Sequence, residues 1–441
     1  MTSPTDAVQA APERAQEPAA IIEARPLARR FQPFREPLSA AAEALVADVL
    51  NQLQNCEKYL KLRKRARRGT DQANFKALVS ALVCDLAYQH LEDPDGSIMV
   101  DRNRDVLTRR KTRYDAPFVG KTFPDVLDLM SRPEMEFAVQ RPGHWGGDNG
   151  VSWKTTAVAG PRLVRRLDGL STVDFGIGVG AEFIKLRKPK TNPDELGELV
   201  DYEDDETTRR LRAEMQTINA WIGAADLSFD TDPAAAKKIN TSKRTLERNF
   251  TEGRFDRGGR LFGGWWMPLS KEVRRGIRIN GEETTALDYG GMGLRVLYGR
   301  AGAPLPDGDP YARGLLERYP REAIKKLFSA MTFARSRLKQ WPKETREKFD
   351  QPPPLKEVRA AIEIEHRPIV GLLYTGIGHE IQFTESNLMV DLLLTLKGLG
   401  IVALPVHDCV VVQRSHAAEV KALMLKLFQQ YVSVEGAVEE E

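Results

Sequence analysis

The sequence contains only three cysteines, Cys56, Cys84 and Cys409, far apart and without a CxxC spacing. This argues against a disulfide framework or a zinc ribbon and fits a reducing, cytoplasmic compartment. The six histidines are scattered, with no HExxH or HxxxH pair, which argues against a histidine-built metal site. No run of eighteen apolar residues is present, so neither a transmembrane helix nor a membrane partner is expected. The opening MTSPTDAVQAAPERAQEPAA has no basic start followed by an apolar stretch, so no signal peptide is expected. Charge of either sign is in little excess: the net value is +3, and electrostatics alone do not mark a nucleic-acid binder.

What remains is an ordinary globular composition, 41% hydrophobic and 29% charged, in a chain of 441 residues that is long enough for two or three domains. The distribution of charge says more than its sum. Basic residues cluster in KLRKRARRG (Lys61 to Gly69), in RNRDVLTRRKTR (Arg102 to Arg113), in LVRRL and in EVRRGIR, whereas acids gather in DYEDDE and the terminal EEE. A single charge run reads as a solvated face; several basic runs in one chain point toward a polyanion.

Residues 1–30, rich in Ala, Pro and Glu, read as a disordered tail. Residues 31–240 read as a mostly helical, basic region. It begins with a helical hairpin, LSAAAEALVADVLNQL and FKALVSALVCDLAYQHL, whose connection carries the first basic run. EFIKLRK reads as a short strand and Arg209 to Gly223 as a helix. FVGKT (Phe118 to Thr122) has Asp115 where a phosphate-binding loop needs its first glycine, and no strand precedes it. GIGVG (Gly176 to Gly180) lacks the GxGxxG fingerprint and reads as a turn or strand bend. Trp265 and Trp266 would either stack on a base or pack in a core.

The remaining segment, residues 241–441, is more specific. TTALD (Thr284 to Asp288) is a strand-like run ending on a carboxylate and followed by two glycines. A helix is expected from Pro320 through Trp341, stopping at Pro342. A second, NLMVDLLLTLKGLG, ends in glycines, after which IVALPV, His407-Asp408 and CVVV read as strand, tight turn, strand. Arg321, Lys325, Ser329 and Phe333 recur every four residues and so share one slowly turning stripe. That stripe suits a triphosphate at its cationic end and a base or sugar at its aromatic end; it also suits a solvated helix with Phe333 in the core. Two carboxylates at strand ends, brought together in one sheet, would hold two divalent ions for an in-line phosphoryl displacement. By itself this pattern is weak, since an Asp in a turn is more often a turn former than a ligand.

These segments resemble motifs A, B and C of the A-family polymerases, the class of bacterial DNA polymerase I and the single-subunit phage RNA polymerases. LDYGGMGLR (residues 287–295) resembles motif A, with Asp288 and Arg295 on its Asp and Arg. REAIKKLFSAMTFA (321–334) resembles motif B, with Arg321, Lys325 and Phe333-Ala334 at its spacing, Phe-Ala replacing Tyr-Gly. LPVHDCVVV (404–412) resembles motif C, with His407 and Asp408 on its His-Asp pair. In the same order, GGRLFGGWWMPLSKEVRRGIR resembles the stretch before motif A. FTESNLMVDLLL resembles the helix before motif C, with Glu385 in place of Gln.

The resemblance implies an α+β fold, a right-hand palm with an antiparallel sheet and reduced helical fingers, and a template-directed nucleotidyltransferase. By the same resemblance, Asp288 and Asp408 would bind two Mg²⁺ (or Mn²⁺) ions. Arg321 and Lys325 would contact the triphosphate, with Lys325 protonating the leaving pyrophosphate. Phe333 would pack at the nascent pair, and Arg260 and His407 would reach the primer; His407 also reads as a plain turn histidine. The partners implied are a nucleic-acid template-primer and nucleoside triphosphates. Gly293 stands where DNA-polymerising members carry a Glu gate against the ribose 2′-hydroxyl, which implies relaxed sugar selection. Only about 120 residues separate Asp288 from Asp408, so the fingers would be small and fidelity low. A catalytically inactive nucleic-acid-binding module on the same fold is the alternative, and an unrelated two-metal nuclease a third.

Overall fold

The computed structural model describes residues 28–144, 153–178, 180–190, 197–230 and 239–441, and the tail expected over residues 1–30 lies almost wholly outside them. The chain divides into two units. One takes in residues up to 111 and 115–178, the other residues 112–114 and 179–441.

In the first unit the helical hairpin forms as expected. Helix α1 (Ala40–Tyr59) starts on Ser39, whose hydroxyl accepts from the Ala42 amide, and helix α2 spans Gly69–Glu92. Leu45, Val49 and Leu53 of α1 meet Phe75, Leu78, Leu82 and Leu86 of α2 in one buried core. The region also carries short strands. β1 (Arg29–Arg30), β3 (Ile98–Val100), β4 (Ala138–Arg141) and β5 (Thr155–Ala159) form a sheet in the order β1-β3-β5-β4, and β2 (Arg35–Pro37) pairs with β6 (Phe175–Ile177). Asp85, fully buried on α2, joins these parts: it accepts from Arg29 at 3.0 Å, Arg35 at 2.9 Å and the Gln32 amide at 2.9 Å.

The charge runs now separate into two kinds. Between α1 and α2, Lys61, Arg63, Lys64, Arg65 and Arg68 are exposed and make no ion pair among the described residues, while Arg67 grips Glu57 through two 2.6 Å bonds. Most of the second run is paired internally. Arg102 pairs with Asp128, Arg104 with Asp125, Arg109 with Asp115, and Arg113 with Glu182 and Asp204. Of the DYEDDE acids, Asp201 and Asp204 join this network, while Asp205 caps the helix that follows.

The division at residues 178–180 falls well before the boundary read near 240, because the segment after it builds the second unit's sheets. β7 (Ile184–Leu186), β9 (Glu247–Phe250) and β10 (Gly258–Phe262) form a three-stranded sheet in the order β10-β9-β7, flanked by helix α3 (Glu206–Ala224). The main sheet runs β13 (Ala403–Val406), β14 (Cys409–Gln413), β12 (Glu282–Tyr289), β11 (Ile277–Ile279), β8 (Leu227–Phe229), with β15 (Val438–Glu440) also on β12. Every residue of β13 and β14 is buried, the reason their sequences are continuous apolar runs rather than alternating ones. The unit is α+β: helices α4 (Met292–Ala301), α5 (Arg321–Phe333), α6 (Leu355–Glu365), α7 (Gly378–Leu399) and α8 (Ala417–Val432) complete it.

Helix α7 is apolar around most of its girth and sits among β10, β13, α3, α4 and α8. Its seat is fixed by Arg248, fully buried on β9. The guanidinium donates to the Gly259 carbonyl at 3.0 Å and to Ser386 Oγ and Asn387 Oδ1 of α7, each at 2.9 Å. Burial pulls its pKa down to about 10, against the pull of Glu214. Gly259 has φ +80°, and a Cβ there would come within 2.8 Å of Ser386 Oγ, so the strand meets the helix only through glycine. Trp265 and Trp266 are buried, and Trp266 donates to the Pro405 carbonyl at 2.9 Å; the core reading holds and base stacking does not. Among the described residues no helix is long and apolar enough to cross a membrane.

Candidate active site

Strand β12 alternates: Leu287 and Tyr289 turn into the core, where the Tyr289 hydroxyl donates to the Met424 carbonyl at 3.0 Å, leaving Asp288 on the opposite face. The antiparallel register sets Asp288 against Cys409, the residue that follows the His407-Asp408 turn. The Tyr289 amide donates to the Asp408 carbonyl at 3.2 Å. Residues 120 apart in sequence thus place two carboxylates on one cavity of about 360 Å³. On the other flank of β12, Asp288 faces Glu439 of β15.

Helix α5 supplies the facing wall. Ala323, Ile324, Leu327, Phe328 and Met331 are buried, whereas Arg321, Lys325, Ser329 and Phe333 form an exposed stripe, and all four line the cavity. The reading of that stripe as a solvated helix with Phe333 in the core does not hold: Phe333 is 37% exposed. The helix is shorter than expected. It ends at Phe333 rather than Trp341, because the Ala334 carbonyl accepts from the Gly376 amide and Arg335 pairs with Glu252. The Phe333 ring lies edge-on to His379 at 5.1 Å and so close over Gly378 that a Cβ there would come within 2.6 Å.

Crowded acids shape the electrostatics. Burial, then the charges of Asp408 and Glu441, push the Asp288 carboxyl up to about 6, with Lys271 and Lys325 pulling the other way. Glu385, 3% exposed, goes up to about 7 through burial, against its bidentate pair with Arg260 (2.7 Å to each oxygen). Lys325 has no ion pair or hydrogen bond among the described residues, whereas Arg321 is held by Asp309 and Glu322.

A consequence for stability follows. Because its folded value lies near 6 and its ordinary value is 3.8, Asp288 binds more protons folded than unfolded between those limits. Its ionisation therefore costs stability as pH rises through that window, and the full cost persists above it. In metal-free buffer, Asp288→Asn is expected to stabilise the protein at pH 8 by about 1–2 kcal/mol, allowing for solvent screening, and to have no such effect at pH 3.5. Urea unfolding at the two pH values measures this; equal effects at both would refute it.

The remaining sequence candidates fall into place unevenly. Gly293 lines the cavity, and a Cβ there would meet only Ile381 Cγ2, at 3.6 Å. Arg260 lines it too, locked on Glu385. Arg295 does not: its guanidinium donates to the Gly290 carbonyl at 2.8 Å and the Glu435 carbonyl at 2.6 Å, tying the start of α4 to the chain before β15. Arg295 instead lines an adjoining cavity of about 510 Å³, together with Tyr311 and Arg321. His407 lies outside the cavity wall, with φ +59°, its ring 5.6 Å from Phe262 and its buried Nδ1 unpartnered. Burial and the Arg260 charge lower its pKa. Sequence reasoning missed Lys271, Tyr311, Gln382, Glu439 and Glu441, which also line the cavity. Only the C-terminal EEE run, with Glu439 and Glu441, and the stretch before motif A, with Lys271, touched on any of them.

No family model matches the chain, and no curated protein matches it. Among solved structures it is similar to the POL domain of Pol1 from M. smegmatis in complex with DNA primer-template and dNTP, at 12% identity and a TM-score of 0.28. The match covers 96% of this chain and 67% of that one. At that score the functional reading rests on the geometry of the cavity.

Proposed function

We propose that the protein is a template-directed nucleotidyltransferase with a palm of the A-family polymerase type, extending a primer 3′ end with relaxed sugar selection. One observation carries the reading. The register of β12 on β14 gathers Asp288 and Asp408 at one side of a cavity whose opposite wall is the Arg321–Lys325–Ser329–Phe333 stripe. An acid pair facing a cationic helix is what a metal-bound triphosphate requires at its two ends.

The residues present fit divalent magnesium. The donors are carboxylate oxygens, and a dication relieves the burial and the mutual repulsion that together raise the Asp288 pKa. Among the described residues no group of three His, Cys, Asp or Glu is arranged to hold an ion, so Asp288 and Asp408 would hold it with oxygens of the substrate and water. The Cys409 thiol, pushed up to about 12 by burial, is no competing ligand. Magnesium, when bound, supplies Lewis-acid activation of the primer hydroxyl and neutralises charge at the transferred phosphoryl.

The chain's own groups do the rest. Arg321 orients the β- and γ-phosphates once Asp309 releases it. Lys325, unpaired and facing Asp288, donates a proton to the departing pyrophosphate. Phe333 covers the base, and Gly293 leaves room beside the sugar. The unpaired cations between α1 and α2 suit a polyanionic template.

Primer extension on a DNA template with Mg²⁺, comparing deoxy- and ribonucleotide pools with a no-primer control, tests the reading. Extension with both pools is expected. Tight template binding without any product would instead favour the inactive binding module.

A further inference from the structure

The loop between α4 and α5 carries one polar group that the folded chain leaves unused. Tyr311 is 6% exposed, yet its hydroxyl makes no hydrogen bond to any described residue. That oxygen is not among the sealed, unpartnered atoms, and Tyr311 lines both the acid-pair cavity and the adjoining one of about 510 Å³ that also takes in Arg295, Asp309 and Arg321. An almost buried donor left without a protein partner costs free energy unless water or a ligand satisfies it.

The group is also held in place. The Tyr311 amide donates to Asp309 Oδ1 at 2.9 Å, and its ring meets Phe328 edge-on at 5.9 Å. Just before it, the Pro310 carbonyl accepts from His366 Nε2 at 3.0 Å, and Tyr298 donates to His366 Nδ1 at 3.0 Å. His366 is fully buried and its pKa is lowered by burial, which fits this neutral tautomer. Backbone and ring are thus both fixed, as preorganised recognition demands.

Position selects the ligand atom. Arg321 lies 5.6 Å from the Tyr311 ring centroid, and after burial the phenol feels the charges of Arg321, Asp309, Arg295 and Asp408, in that order. The ring therefore stands beside the cationic end of α5, on the cavity that the acid pair also lines. Phe333, at the base end, is twelve residues on, about 18 Å along the helix. Burial keeps the phenol up at about 12, so it remains a donor at working pH.

The geometry points to Tyr311 as a further substrate-binding residue, its hydroxyl donating to a phosphate oxygen of the incoming nucleoside triphosphate. This assignment rests on the nucleotide reading of the cavity and adds a contact that none of the sequence motifs includes.

Calorimetric titration of the full chain with Mg²⁺ present, using a non-hydrolysable deoxynucleoside triphosphate and, separately, inorganic tripolyphosphate, tests it. Tyr311→Phe keeps the ring on Phe328 and is expected to weaken both probes about tenfold. Tyr311→His, which returns a ring-borne donor, is expected to recover part of the loss; a packing role would not produce that recovery. Unchanged affinity in Tyr311→Phe overturns the assignment. So does a loss confined to the nucleotide, since the hydroxyl would then read sugar or base. Failure of the wild-type protein to bind either probe would refute the nucleotide site as a whole, and is distinguished by not depending on residue 311.

Discussion

Asp408→Ala is expected to reduce primer extension at least about 1,000-fold while leaving template binding and the folded structure intact. The magnitude follows from what the residue would hold. Activation of the attacking hydroxyl and charge neutralisation at the phosphoryl contribute several kcal/mol, and about 1.4 kcal/mol corresponds to each tenfold. The folded state should tolerate the change because the Asp408 side chain makes no hydrogen bond or ion pair among the described residues, and the turn is set by backbone contacts such as Tyr289 N to Asp408 O. Removing one of two repelling carboxylates also relieves Asp288, whose raised pKa includes the Asp408 charge. A modest rise in metal-free stability should therefore accompany the loss of activity. The same loss in Asp288→Ala and in the double variant would show the two acids acting as one unit. Steady-state extension with a matched melt measures all of this; near-wild-type extension by Asp408→Ala would remove the proposed mechanism.

The acid pair and the cationic stripe were legible because their signals are local. Four residues at a spacing of four define a helix face whatever the helix packs on, and IVALPV-HD-CVVV is a hairpin in any context. What the sequence could not fix is where such local patterns are overruled. Residues 335–341 retain helical composition, but the Gly376 amide and Glu252 draw the backbone and Arg335 elsewhere, and helix α5 stops at Phe333. Arg295 shows a related limit. A motif's spacing locates the residue but not the direction of its side chain, which here caps backbone carbonyls.

The parts that stayed hidden are built from non-local pairing. β15 has three residues inside an acidic run, and its partner β12 lies about 150 positions away, so nothing nearby distinguishes it from a solvated terminus. The sheet of the first unit rests on strands of two to five residues, too short for alternation to be read. Tyr311 sits in a loop with no periodicity, and only its burial beside an open cavity marks it. Glu385 was noticed as a departure from a pattern, but its pairing with Arg260 required the folded α7.

Gly293→Glu is expected to depress ribonucleotide incorporation about 100-fold while deoxynucleotide incorporation falls less than about tenfold. The physical case begins with the backbone. Gly293 lies early in α4 at ordinary helical angles, and its Cβ position meets only Ile381 Cγ2 at 3.6 Å, so the helix can carry a side chain there without strain. Beyond Cβ, the chain would project into the cavity that Asp288, Lys325 and Phe333 also line. A ribose 2′-hydroxyl in that space must then either clash or displace the carboxylate, whereas a deoxyribose need do neither. The new charge adds to a site already crowded with Asp288, Asp408 and Glu385, which accounts for the smaller general loss. Gly293→Gln separates the two effects: it keeps the bulk and removes the charge, so it should preserve the sugar discrimination and recover the deoxynucleotide rate. Single-nucleotide kcat/KM for matched deoxy- and ribonucleotides supplies the measurement, as a ratio that cancels differences in active fraction. An unchanged ratio in both variants would mean that the sugar does not pass beside Gly293, and the proposed relaxed sugar selection would lose its structural basis.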